Sequence, residues 1–107
     1  MDEQTISSAY QRLAKSKLDL WQAAEKVTAR RIELERAQAM ALVSGEIAGR
    51  NEAERQAQAR ERLHGEYAEL EVAEAEERRS RLEYDLDRME VERIETILRW
   101  LSVATTK

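Results

Sequence analysis

Glu61 and His64 stand three residues apart in a stretch rich in helix formers, so a carboxylate and an imidazole can share one face of a helix. That pairing is a means of holding a divalent cation, with Glu33 or Glu35 roughly opposite on an antiparallel neighbour. Two features weigh against a metal centre. Glu61 and His64 point away from the apolar line through Leu63, Tyr67 and Leu70, and the facing stretch carries Arg30, Arg31 and Arg36, which repel a cation. A lone histidine on a charged helix is ordinarily solvated, so the sequence assigns no metal ligand and no cofactor.

Arg50, Asn51 and Arg55 form a second constellation. They sit where a helix should begin, and unsatisfied backbone N–H groups there attract anions. A phosphate or an acidic patch on a partner could dock at these three residues; the simpler reading is that Asn51 caps the helix and the arginines are solvated. Nothing else resembles a reaction centre. There is no glycine-rich phosphate loop after a strand, no Ser/His/Asp set and no pair of carboxylates in an apolar setting. The chain has no cysteine, which removes disulfides, thiolate zinc sites and thiol nucleophiles. No catalytic residue is assigned, and the expectation is a protein that is not an enzyme.

The elements that position these residues are helices. The 107 residues include no proline and no phenylalanine, and an apolar position recurs every seventh residue at Ile6, Leu13, Leu20, Val27, Leu34 and Ala41. Seven residues are close to two helical turns, so these side chains form one seam. Charged residues make up 37% of the chain and its mean hydropathy is −0.74, too polar for a compact globule with a large core. The periodicity and the Ala, Leu, Glu and Arg content select long helices over disorder. Net charge is −4, with residues 1–50 at +1 (eight Lys/Arg, seven Asp/Glu) and residues 51–107 at −5 (ten against fifteen). The halves are mildly complementary, and an acidic chain is a poor general binder of nucleic acid.

Helix breakers cluster at Gly45 and Gly49. Gly45 can take the left-handed conformation that ends a helix, and Asn51 followed by Glu54 reads as a cap. The expected fold is all-α: a helix over 4–44, a turn over 45–50 and an antiparallel helix over 51–103, in a single hairpin domain over 1–107. At about 1.5 Å per residue the second helix should overhang the start of the first by about three turns. Gly65 loosens the second helix without a second breaker to support a stop there.

Each helix carries two apolar seams, and a hairpin covers one. On the first helix the further seam includes Leu18, Trp21 and Ile32; on the second it includes Leu82, Leu86, Met89 and Trp100. A homo-oligomer follows, most simply a dimer of hairpins forming a four-helix bundle. Residues 71–81 have almost no apolar anchor and read as solvated. From Ile94 onward, Ile94, Ile97, Leu98, Trp100 and Leu101 point nearly all round the helix, which marks self-association or a partner surface. The competing reading folds this end over Ile6 and Tyr10.

The stretch from Ile47 to Gln58, an apolar-x-Gly-basic-Asn turn leading into a helix with Arg and Ala-Gln, resembles small, charged, helical accessory proteins of tailed bacteriophages. That resemblance covers about half the chain and brings no activity or functional residues with it. It implies a phage or prophage accessory factor working in the host cytoplasm. The Glu61/His64 spacing is similar to that of ferritin-like bundles, including the short two-helix encapsulated ferritins, but the surrounding residues share nothing with them. The Met-Asp-Glu-Gln start lacks the pattern of a signal peptide, and no run approaches the ~20 apolar residues of a membrane span. The function expected is protein–protein binding by a soluble, cytoplasmic helical hairpin, with a protein partner and no membrane. The alternatives are a nucleic-acid-processing accessory that touches phosphates through the turn arginines, and a metal-binding half-bundle.

Overall fold

The structure is a computed structural model that describes residues 1–105. Among these the chain is all-helical: α1 spans Glu3–Ser44, α2 spans Glu52–Arg62 and α3 spans His64–Thr105. No helix among the described residues is long and apolar enough to cross a membrane.

The helix ends follow from local chemistry. Asp2 begins α1 by accepting the Thr5 N–H at 2.8 Å. Gly45, at φ +82°, ends it in the left-handed region, and the Ile47 N–H reaches back to the Ala41 carbonyl at 3.2 Å. The following turn is braced rather than loose. Asn51 accepts the Glu54 N–H at 2.9 Å, Glu54 in return accepts the Arg50 N–H at 2.9 Å, and Gln58 accepts the Ala48 N–H at 2.9 Å. Gly49 is required here by close approach, because a Cβ on it would stand 2.7 Å from the Glu54 Cβ.

The helix expected to run unbroken over 51–103 is interrupted at Leu63 (φ −112°, ψ 30°), which separates α2 from α3. The departure is confined to one residue. Leu63 still donates to Ala59 at 2.8 Å, and Tyr67 donates to Leu63 at 3.0 Å. Gly65, two positions on, has the weak helix preference that allows such a step.

Two compact units make up the chain. Ala23–Glu77 is continuous in sequence: the end of α1, the turn, α2 and the start of α3. Its core is Leu34, Ala41, Ile47, Ala59 and Leu63, with Ala37, Tyr67 and Leu70 packed against it. Here α1 and α3 run antiparallel, tied by Gln38 to the Tyr67 hydroxyl (2.7 Å), Arg30 to Glu69 (3.8 Å) and Lys26 to Glu76 (3.3 Å). Ala73 is also buried, so the charged stretch over 71–81 has an anchor after all, supplied by a residue small enough to let the helices close up.

The other unit joins Met1–Gln22 to Arg78–Lys107. Ala9, Val91 and Ile94 form its core, with Ile6 and Leu13 against them. Tyr10 donates to Glu95 at 3.0 Å, which sets the start of α1 beside the end of α3. The expected three-turn overhang is therefore absent. The eleven residues of α2 fold against the turn, and α1 and α3 are left equal at 42 residues each.

Across both units the seven-residue seam of α1 is the inward one. Val27, Leu34 and Ala41 are buried, and Ile6, Leu13 and Leu20 half-buried. Leu63 at the α2–α3 break and Val91 on α3 are buried, and Tyr67, Leu70 and Tyr84 on α3 are half-buried. Ser16 is the one buried polar side chain among the described residues, and its hydroxyl donates to the Leu13 carbonyl at 3.2 Å.

Candidate functional site

Glu61 and His64 are both exposed, and the His64 Nδ1 lies 3.2 Å from the Glu61 carbonyl oxygen. No group of three or more potential metal ligands comes together among the described residues. At the turn, Asn51 is occupied as the cap of α2. Arg55 donates to the Gly49 carbonyl at 3.2 Å and to Glu52 at 3.3 Å, so its guanidinium braces the turn. Glu54 already serves the backbone N–H of Arg50, one of the groups an anion would seek. Beside these lies an open cleft of ≈ 430 Å³ whose lining includes Gln38, Glu52, Arg55, Arg60 and Tyr67. Its polar groups face one another: Gln38 donates to the Tyr67 hydroxyl, and the Arg60 guanidinium lies 5.1 Å from the centre of the Tyr67 ring.

Shifts in protonation follow the surface pairing. Hydrogen bonds from Thr5 hold Asp2 below the usual carboxylate range, and Arg93 does the same for Glu90. Glu95 pushes the Tyr10 phenol up; Asp19, Glu33 and Glu90 raise Lys15, Arg30 and Arg93 in turn. Acids move down while bases and the phenol move up, away from neutrality in every case. These are surface ion pairs and hydrogen bonds that steady helices.

The remaining feature is apolar. Leu18, Trp21 and Ile32 are exposed on α1, Trp21 to 61%. Taking about 100° per residue, Leu18 and Ile32 lie roughly 160° around the helix from the inward seam and Trp21 roughly 100°. On α3 outward apolar residues recur at three- and four-residue steps in two sets, Ala68, Val72 and Ala75 and then Leu82, Leu86 and Met89, with Trp100 and Val103 further on. Val72 belongs to the first set and fits its spacing, although the seam as read from the sequence passed over it. At the end of α3 the residues expected to form one surface divide. Ile94 is fully buried against Ala9 and Val91, so it belongs to the hairpin core and not to a partner surface. Ile97 is half-buried, whereas Leu98, Leu101 and above all Trp100, at 75%, are exposed. An open, largely apolar hollow beside Trp100 is lined also by Arg99, Val103 and Ala104.

Comparison with models of protein families, with curated proteins and with solved structures returns no match for this chain. Its function is therefore argued from its own surface.

Proposed function

We propose that this protein is a non-enzymatic helical interaction and assembly factor that binds protein through the outward faces of α1 and α3. One observation carries the reading. Of the large apolar side chains among the described residues, six are buried (Val27, Leu34, Ile47, Leu63, Val91 and Ile94), while sixteen are exposed. Helices that cover one seam and leave a second, regularly spaced one open are components of a larger helical assembly. The contact residues are Leu18, Trp21 and Ile32 on α1, with Leu98, Trp100 and Leu101 closing α3 and Ile97 at its edge. The net charge of −4 favours a protein partner over nucleic acid. The resemblance of residues 47–58 to a segment of small helical phage proteins supports a phage or prophage accessory role for this activity.

The test replaces Leu18, Trp21, Leu86 and Trp100 together by serine. Dilute variant should keep its helical circular dichroism and its unfolding midpoint. Cross-linking in the cells that express it should capture wild type in higher-mass species and leave the variant alone. Loss of the fold in the variant, or wild type that resists cross-linking throughout, overturns the reading.

A further inference from the structure

Arg60 stands over the Tyr67 ring, 5.1 Å from its centre, and among the described residues no carboxylate lies within ion-pair distance of it. Both residues line the cleft of ≈ 430 Å³ between the end of α1, the turn and α2, wholly within the Ala23–Glu77 unit. Its floor is apolar: Ile47 and Ala59 are buried, and Leu42 lines the cleft with them. The Tyr67 hydroxyl accepts the Gln38 amide at 2.7 Å, so its own proton is left to donate, and no acceptor among the described residues takes it. The other polar groups of the lining are engaged with one another. Arg55 donates to the Gly49 carbonyl and to Glu52, and Gln56 donates to Glu52 at 3.3 Å. The charge of Glu52 is thus answered within the turn, and the cleft keeps the charge of Arg60.

We propose that this cleft binds a carboxylate carried on a peptide beside an apolar side chain, as in an acidic segment of a protein partner. A guanidinium offers a planar fork of N–H donors matched to the two oxygens of a carboxylate, and a ring beneath it limits where the fork can point without occupying those donors. The Tyr67 O–H supplies a further donor to the same cleft. Leu42 and Ile47 give the apolar neighbour a floor. Two features select a peptide carboxylate among anions. Glu52 also lines the cleft, which disfavours a doubly charged phosphate more than a singly charged carboxylate. The cleft is open, so a free small acid would stay largely in water, whereas a peptide brings further contacts along the rim. The contact is polar and charge-selective, separate from the apolar outward faces of α1 and α3, and does not depend on them.

The experiment titrates the isotope-labelled full chain with the peptide acetyl-Ala-Leu-Glu-Leu-amide, followed by amide NMR. Saturable shifts should centre on Gln38, Ala59, Arg60 and Tyr67. Glutamine in place of the peptide's glutamate, or Arg60→Gln in the protein, should weaken binding about tenfold or more, as loss of charge-assisted hydrogen bonds does. Tyr67→Phe keeps the ring and should weaken it about threefold. Arg62→Gln, at an exposed arginine outside the cleft, should change affinity by less than about twofold. Isovalerate, a carboxylate on an apolar body without a peptide, should give no saturable shift at the concentration that half-saturates with peptide. Should Tyr67→Phe lose helical circular dichroism, Arg60→Lys takes its place and should bind more weakly than wild type, because it keeps the charge without the fork. No saturable shift with the glutamate peptide up to about 10 mM, or shifts centred elsewhere, overturns the site. Equal binding of the glutamine peptide, or by Arg60→Gln, overturns carboxylate recognition, and isovalerate that binds as tightly as the peptide overturns the peptide as carrier. None of these outcomes bears on the outward faces, whose own test is the cross-linking of the serine variant.

Discussion

Replacing Gly49 by alanine tests how tightly the turn is held. The added Cβ would stand 2.7 Å from the Glu54 Cβ, 2.8 Å from the Arg55 backbone nitrogen and 2.9 Å from the Glu54 carbonyl carbon. Favourable carbon–carbon separations are about 3.5–4.0 Å, so the turn must retreat by roughly 1 Å. Two of the three opposing atoms are backbone of the first turn of α2, fixed by the Asn51 cap, and cannot rotate aside. The retreat instead stretches the bonds from Arg50 N–H to Glu54 and from the Arg55 guanidinium to the Gly49 carbonyl, now 2.9 and 3.2 Å. Overpacking costs about 1–3 kcal/mol and a lost hydrogen bond about 1 kcal/mol, giving a destabilisation of about 2–4 kcal/mol. Urea unfolding at dilute concentration, with an unchanged slope, measures it. Gly65 supplies the control: its Cβ position has no heavy atom within 4 Å, so alanine there should stabilise by up to about 1 kcal/mol through helix preference. A Gly49→Ala shift within about 0.5 kcal/mol of zero would refute the close approach of turn and helix.

Ile94→Ala and Leu34→Ala should each cost about 2–5 kcal/mol in thermal or urea unfolding, since both side chains lie in the cores described above. Trp100→Ala should leave the unfolding midpoint of dilute protein unchanged, and a loss of more than about 1 kcal/mol would return Trp100 to the core. Trp21 and Trp100 are the only tryptophans, so fluorescence of dilute protein should resemble solvated indole and move to shorter wavelength on association. Tyr10 should ionise at higher pH than an ordinary tyrosine, because its proton is held by Glu95. Its folded pKa lies above its unfolded value, so that bond contributes fully below the ordinary tyrosine pKa and is lost as pH rises through the folded one. In a spectrophotometric titration the late component should disappear in Tyr10→Phe.

Periodicity and capping chemistry were legible because they are local. The α1 seam, the left-handed Gly45 and the Asn51 cap depend on residues within a turn or two of each other, and all three stand in the structure. What escaped depends on distance. Nothing in the spacing around Leu63 marks a break, because the interruption arises where α2 folds against Ile47 and Ala41. The depth of Ile94 follows from the absence of an overhang, which in turn depends on how α2 folds back. Gly49 carries no sign of whether it bends the chain or admits a neighbour; Glu54 answers that only in three dimensions. The candidate surface was read in outline from the second seams, and burial then removed Ile94 from it.

The division of the chain has a kinetic consequence. The unit over Ala23–Glu77 is a single continuous segment, whereas the other needs residues from both ends of the sequence. The bond from Ala48 to Gln58 spans 10 residues and that from Tyr10 to Glu95 spans 85, so closing the latter from an open chain costs about 2 kcal/mol more in loop entropy. Formation of the central unit first shortens that search, and the order expected is centre, then ends. Opening should retrace it. In native-state hydrogen exchange, amides near Ala9 and Val91 should become accessible at lower free energy than those near Leu34 and Ala59, and the reverse ranking would refute that order. Leu18, Trp21, Leu86 and Trp100 all belong to the unit that closes last. A partner that holds them would also hold the ends shut, so association and completion of the fold would be thermodynamically linked.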